Sequence, residues 1–244
     1  MIYRLRLCQL SYAATFTLVI ISDLLLFFQW YTGNIMKLSS PTLPGHLDDG
    51  NAISIHDDAE AMQFIDLDMT KLNETAVDLD GVLFERVLLS QAQLPRVTAK
   101  DIVVRQCDFS AASLADGSVS RAEFSSCRMV GVDFSKAQLH DVVFRGCKLD
   151  MANFRFGDIR RVKFIGCTLD ETDFLGATLH DAVFEDCDLT HTVFDQTKCK
   201  NLDLRSSRLN EVSGWGSLKG VIIDDEQLIA VAPYLARQLG IAIK

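Results

Sequence analysis

The 244-residue sequence lacks the short signatures that announce chemistry. It has no Ser-His-Asp grouping, no Walker-type phosphate loop, no dinucleotide-binding fingerprint and no His-Glu-x-x-His pair. It also lacks an excess of positive charge: 24 lysines and arginines stand against 33 aspartates and glutamates, for a formal net charge of −9. That balance argues against non-specific nucleic-acid binding and mildly for a basic partner. An even set of cysteines is missing too. Seven cysteines, five of them at one recurring spacing, fit reduced packing better than a disulfide framework. Stacked coils would bring their Cα atoms within bridging range, so distance alone does not decide against oxidation. What is present is apolar, 48% of the chain, which excludes wholesale disorder and allows one or two domains.

The amino-terminal residues 1–35 admit two readings. Arg4 and Arg6 precede a mostly apolar run over residues 12–31 that ends in Trp30 and Tyr31, about the length of one membrane span. As a signal anchor it predicts a cytoplasmic amino terminus and an exported body. Against this stand Asp23, costing roughly 2.5–3.5 kcal/mol at mid-span, the absence of a small-x-small cleavage site, and thiols that an oxidising compartment would not keep reduced. The alternative is translation from Met36 and a cytoplasmic protein, with the upstream residues no part of the native chain. Residues 36–60, with Pro41, Pro44, Gly45 and Asp48-Asp49-Gly50, read as a linker or tail in which Ile53 and Ile55 cover the first coil.

From residue 61 to 213 a five-residue period governs the chain. Stepping from Phe64 by five gives thirty positions up to Leu209, of which only Glu74 is polar. Eleven of the twelve phenylalanines after the amino-terminal segment sit on this frame, Phe156 being the exception. Two residues before each frame position lies a second apolar or small residue. A separation of two is the strand period, so both point inward, and the two remaining residues turn the chain. A helix is excluded, because a period of five rotates around a 3.6-residue turn and gives no single face. Cys107, Cys127, Cys147, Cys167 and Cys187 recur every twenty residues, so four units make one coil. The expected architecture is all-β: a right-handed, four-sided parallel β-helix of roughly seven coils and ~35 Å. Phe84, Phe124, Phe144, Phe164 and Phe184 fall in one column and Phe134, Phe154, Phe174 and Phe194 in another. Like residues stack on like.

These units resemble the pentapeptide-repeat family, whose units read approximately Ala-(Asp/Asn)-Leu-x-x. Val132-Asp133-Phe134-Ser135-Lys136, Ala152-Asn153-Phe154-Arg155-Phe156, Thr172-Asp173-Phe174-Leu175-Gly176 and Cys187-Asp188-Leu189-Thr190-His191 carry the resemblance, which covers about 150 residues. It implies a right-handed quadrilateral β-helix and is silent on function, since one repeat serves many partners. Units around Glu74 and Ala99 depart from the pattern, so the first coils are expected to be irregular or bulged. Residues 214–244 read as a cap: Asp224 or Asp225 starts a helix over residues 226–239 with Leu228, Val231, Leu235 and Leu239 on one face and Pro233 to kink or split it. A cap covers the open strand edge. In some family members such an element joins two rods, which here implies a homodimer through the helix, with Ile241 and Ile243 contributing.

No cluster reads as catalytic, cofactor-binding or metal-binding. His140 and His180 lie two coils apart with Arg160 between, too far to share an ion. The cysteines read as inert packing. Arg121, Asp141, Arg161 and Asp181 alternate in sign up one column and stabilise the stack. Charge along the rod is polar. Residues 121–163 hold nine basic against five acidic side chains, whereas residues 164–195 hold Asp170, Glu171, Asp173, Asp181, Glu185, Asp186, Asp188 and Asp195 with no lysine or arginine. These eight form the candidate surface for a basic protein partner. The expected function is a non-catalytic protein-interaction scaffold with no direct nucleic-acid binding. The resemblance implies an alternative, an acidic dimeric rod that mimics DNA and protects DNA gyrase from toxins or quinolones. An enzyme of the larger β-helix type is disfavoured, since twenty-residue coils leave no evident cleft.

Overall fold

The structure, a computed structural model, describes residues 36–50, 58–238 and 240–241. The chain forms two compact units, Met1–Lys37 and Leu38–Lys244. Only Met36 and Lys37 of the first unit are among the described residues; the apolar run 12–31, and Ile53 and Ile55, lie outside them. No helix among the described residues is long and apolar enough to cross a membrane.

The second unit is a parallel β-solenoid of about seven turns. Its longer strands are β6 (Thr98–Arg105), β7 (Ser118–Ser125), β8 (Gln138–Arg145), β9 (Asp158–Ile165), β10 (Thr178–Glu185) and β11 (Lys198–Asp203), preceded by short β1 (Asp48–Asp49), β2 (Ala59–Glu60), β3 (Met62–Ile65), β4 (Asp78–Asp80) and β5 (Leu83–Glu85). From β2 to β10 each pairs in parallel with a strand twenty residues on, as in Val119↔Leu139, Leu139↔Ile159 and Ile159↔Leu179. The other two sides are held by single bridges such as Arg128↔Lys148 and Asp133↔Asn153. The expected bulge near Glu74 and Ala99 does not occur, because Asn73↔Gln93 and Leu79↔Ala99 keep the twenty-residue register.

The corners explain how so short a unit turns. From Ala61 to Glu211 every fifth residue has a positive φ, between 48° and 67°. A left-handed residue costs an L-amino acid roughly 1–2 kcal/mol. Each corner N–H in return joins the ladder, as Gln91 N–H to Ser110 O, 2.8 Å, and Met151 N–H to Asp170 O, 2.8 Å. Phe156, the one phenylalanine off the frame, is such a corner. Its ring is 57% exposed and lies over Gly176, where a Cβ would come within 2.6 Å of the ring.

Inside, the two phenylalanine columns stand side by side. Within a column the rings stack, 5.0 Å and 6° for Phe144–Phe164. Between columns they meet edge to face, 5.9 Å and 90° for Phe174–Phe184. Both are favourable quadrupole geometries. The early coils are filled less completely. Where Val104 interrupts the first column and Ala99 replaces a larger aliphatic, an apolar cavity of about 40 Å³ remains, lined by Phe84, Leu89, Phe109 and Phe124 among others.

The carboxy-terminal end is closed. The helix α1 (Asp225–Gln238) runs through Pro233 without dividing. Asp224 caps it: its Oδ1 accepts from Gln227 N–H, 2.8 Å, and its own N–H donates to Gln227 Oε1, 2.9 Å. The buried face differs from the expected one. Leu228 is 50% exposed, and Gln227 is buried in its place because its Nε2 donates to Leu204 O and Ser207 O of the last coil, both at 2.6 Å. Gly214 ends the repeat at φ 81°, with its Cα so close to the coil below that a Cβ would lie 2.3 Å from the Phe194 carbonyl carbon.

Part of the stretch read as linker lies along the rod. Ser39 N–H donates to Asp141 Oδ1 at 3.3 Å and Thr42 N–H to Asp101 Oδ1 at 3.2 Å. Pro44 sits against Gly81, and Asp48 pairs with Met62 in the first coil. Three residues thus descend two coils, a rise of ~10 Å that only extended backbone covers. Leu38, Pro41, Leu43 and Leu47 are half-buried along this strap.

Candidate functional site

The eight acidic residues of the terminal coils do not share one surface. With four corners per turn, Glu185 and Asp186 occupy one corner, Asp188 the adjoining face, and Asp170 and Glu171 the next corner, so these five are contiguous. Asp173 lies on the following face and Asp195 at its end. Asp181 occupies the corner diagonally opposite Glu171, at a residue of φ 54°.

Several are already answered within the chain. Asp173 takes Arg155 Nε and Nη2, each at 2.6 Å. Asp188 accepts from Arg208 Nη1 at 2.9 Å and from Thr190 Oγ1 at 2.6 Å. Asp181 faces His180 Nδ1 at 2.9 Å and accepts from Asn201 Nδ2 at 2.7 Å. Asp195 accepts from Ser213 Oγ. Glu171, Glu185, Asp186 and Asp195 are exposed. Lys198, Lys200, Arg205 and Arg208 follow directly in the next coil, so the acidic band is flanked by cations on both sides.

His191, not singled out in the sequence, stands in the same corner column as Glu171 and Glu211. Its Nδ1 lies 2.9 Å from Asp170 Oδ1 and its Nε2 3.5 Å from Glu211 Oε2. The hydrogen bond to Asp170, helped by the charges of Glu211 and Glu171, raises the imidazole above its ordinary value. Ligand atoms of Asp170, Glu171 and His191 lie within 4.8 Å of one another, and among the described residues this is the one such set. Asp170 is half-buried and the other two are exposed, and the geometry is that of an ion pair. The twenty-residue period alone would have aligned Glu171, His191 and Glu211.

The alternating column is confirmed and extended. Arg121 forks onto Asp101, 2.7 and 2.6 Å, and Arg161 onto Asp141, 2.8 and 2.7 Å. These guanidiniums hold both carboxyls below their ordinary range. The same two aspartates receive the strap. His140 and His180 flank Arg160 in register, as expected.

The six cysteines among the described residues are free, and all five of the column are buried. Each thiol from Cys147 to Cys187 donates to the carbonyl 23 residues earlier, at 3.4 Å. Ser207 continues the column and makes the same bond to Phe184 O at 3.0 Å, as Thr172 and Thr192 do elsewhere. The thiol therefore serves as a small back-bonding donor. Burial pushes Cys107 up to about 12, which removes its thiolate at neutral pH.

A cleft of about 410 Å³ lies between the last coil and α1, lined by Asp186, Asp188, Ser206, Arg208, Asp224 and Glu226 among others. It is open and polar, and its Arg208–Asp188 pair is internally matched.

A family model for the pentapeptide repeat region matches residues 77–154 and 157–217, and one for pentapeptide repeats matches residues 137–174. The chain belongs to the pentapeptide-repeat family. No curated protein matches it. Among solved structures, full-length QnrB1, a plasmid-mediated fluoroquinolone resistance protein, is 19% identical over 73% of this chain and 100% of its own, with a TM-score of 0.42. HetL, involved in heterocyst differentiation regulation in the cyanobacterium Nostoc, is 15% identical over 82% and 96%, at 0.33. A pentapeptide repeat protein of the Arabidopsis thaliana thylakoid lumen is 17% identical over 52% and 71%, at 0.36.

Proposed function

We propose that this chain is a non-catalytic protein-interaction scaffold, a rigid rod whose terminal coils offer carboxylates to a basic protein surface. One observation carries the reading: residues 164–195 contain eight acidic side chains and no lysine or arginine, and five of the eight, Asp170, Glu171, Glu185, Asp186 and Asp188, are contiguous around one face and its two corners. A rod presents such groups without the entropic cost of ordering a loop. The rigid β-helix fixes their spacing, and their field favours encounter with a positively charged partner. Direct nucleic-acid binding does not fit this surface, and the cysteine column offers no chemistry to an enzyme.

A second reading, an acidic DNA-mimicking rod that protects gyrase, draws on the same carboxylates and on α1, where Leu228 is 50% and Ile229 76% exposed and would join two rods into a homodimer. The cations Arg128 and Lys148 interrupt a DNA-like surface, which favours the first reading. The discriminating experiment is a gyrase supercoiling assay with the purified chain, with and without a quinolone, beside the triple variant Glu185→Gln, Asp186→Asn, Asp188→Asn. Protection that the triple variant loses supports the gyrase reading. Neither binding nor protection leaves the general scaffold, whose own test is capture of partners by the wild type and not by the variant. Equal capture by both would sink the acidic surface.

A further inference from the structure

The face that carries the cysteines inward carries a different series outward. Asp108, Arg128, Lys148, Thr168, Asp188 and Arg208 stack one coil apart in continuous parallel bridges. The column reads acid, base, base, neutral, acid, base. Reversed about the midpoint between Lys148 and Thr168, it becomes complementary to itself: Asp108 falls opposite Arg208, Arg128 opposite Asp188, and Lys148 opposite Thr168. We propose that this face is a self-association surface, on which a second copy of the chain docks antiparallel about a two-fold axis running along the strands between the Lys148 and Thr168 coils; the dimer covers Asp188, so the acidic surface proposed for a basic partner is offered by the monomer and the two occupants compete.

Three observations support a second copy as the occupant. First, the central groups are unanswered at home. Arg128 donates to Ser110 Oγ and to no carboxylate, and Lys148 makes no ion pair among the described residues. Second, the corner beside this centre is bare. Gly146 and Gly166 occupy successive corner positions there, and the two-fold sets Gly146 against the partner's Gly166, so no side chain holds the faces apart. Third, an isologous contact requires a patch complementary to itself under reversal, which a charge column made for an unrelated partner has no reason to satisfy. At the other rim Asp150 faces the partner's Asp170, an unfavourable pair that His191 offsets by its bond to Asp170 within each chain.

Five coil steps span ~24 Å, so the patch is at the small end of specific interfaces and the dimer should be weak and salt-sensitive. The test is sedimentation equilibrium of the full chain in mild non-ionic detergent, at low and high salt, for wild type, Arg128→Asp and Asp188→Arg. Each single substitution places like charges opposite at both symmetry-related contacts and should weaken the dimer about tenfold or more, whereas an equimolar mixture of the two variants restores a heterodimer with every pair matched. Should Asp188→Arg lose its native circular dichroism with its Arg208 pair, Asp108→Arg, which leaves that pair intact and sets like charges against the partner's Arg208, serves as the second disruptive variant. A monomeric wild type, single variants that dimerise like wild type, or folded variants whose mixture stays monomeric would each overturn the proposal. Loss of the dimer through Leu228→Lys alone, with the charge swaps silent, would assign association to α1 instead.

Discussion

The early coils and the late coils of the rod are built from one repeat and stabilised differently. Between Phe124 and Phe194 both phenylalanine columns are unbroken. Between Val77 and Val119 the columns contain Leu94, Val104 and Leu114, the fourth side narrows to Ala99, and a cavity of about 40 Å³ remains. The early coils are braced from outside instead. The strap crosses them and reaches the first late coils: Asp101 in the early region and Asp141 beyond it each bind an arginine fork and a strap N–H. Asp181, the next acid up that column, has only His180 and Asn201. A solenoid has only neighbour-to-neighbour contacts, so a poorly filled coil cannot borrow stability from a distant one. The external strap spans several coils and supplies what the local core does not.

The strongest test addresses the late core. Phe144→Asp puts an unpaired charge between Phe124 and Phe164 and should unfold the rod, a loss above about 4 kcal/mol. Arg145→Asp, one residue on and exposed, should change stability by under ~1 kcal/mol. Thermal melts of the two measure this, and equal stability would remove the inward–outward assignment. Next in size is a matched truncation. Phe164→Ala should cost about 3–5 kcal/mol by denaturant unfolding, and Phe84→Ala distinctly less, because Phe84 borders the cavity and has fewer packing contacts to lose. Equal costs would mean that the cavity does not distinguish the two regions.

The outer brace is read through pH. Asp101 and Asp141 have carboxyls lowered by their arginine forks, so their contribution is fully present above the ordinary carboxylate value near 4 and is lost as pH falls through the lower folded values. Asp141→Asn should cost on the order of 1–3 kcal/mol at neutral pH and flatten the acid limb of the melting curve below pH 4. An acid limb that persists in the Asp101→Asn, Asp141→Asn double variant would place the titrating groups elsewhere.

Much of this was legible in the sequence. The frame from Phe64 to Leu209, the twenty-residue coil and the columns of like residues follow from spacing, because each inward pair must repeat for the core to close. What was not legible depends on single contacts that no period records. Residues 38–44 read as linker because Pro41 and Pro44 break every regular pattern; those same residues suit an extended strap, which needs no ladder. Leu228 reads as a buried helix position and Gln227 as an exposed one, until the two open carbonyls of the last coil, Leu204 and Ser207, are seen to need a donor. The acidic band was read along the chain, and Asp181 left it once the chain was wound into four sides. His191 does not stand out along the chain for the same reason in reverse, since its partners Asp170 and Glu211 are one coil away on either side.

The smallest effect is also the most direct comparison of the two regions. Val104 stands where Phe84 and Phe124 lie one coil below and above, forty residues apart, and the two rings beside it border the cavity. Val104→Phe completes the column and fills the gap in one substitution. The late coils show the geometry it should adopt, rings stacked about 5.0 Å apart, as in Phe124–Phe144. Cavity filling of this kind contributes about 0.5–2 kcal/mol, reduced here because a ring is larger than the void and the neighbours must shift. The expected gain is therefore about 1 kcal/mol, measured by denaturant midpoint at unchanged slope. If the gap is what separates the early coils from the late ones, Val104→Phe should also raise the cost of Phe84→Ala toward that of Phe164→Ala. A double-mutant cycle measures that coupling, and a cycle with no coupling would show that the strap, rather than core filling, sets the difference between the two halves of the rod.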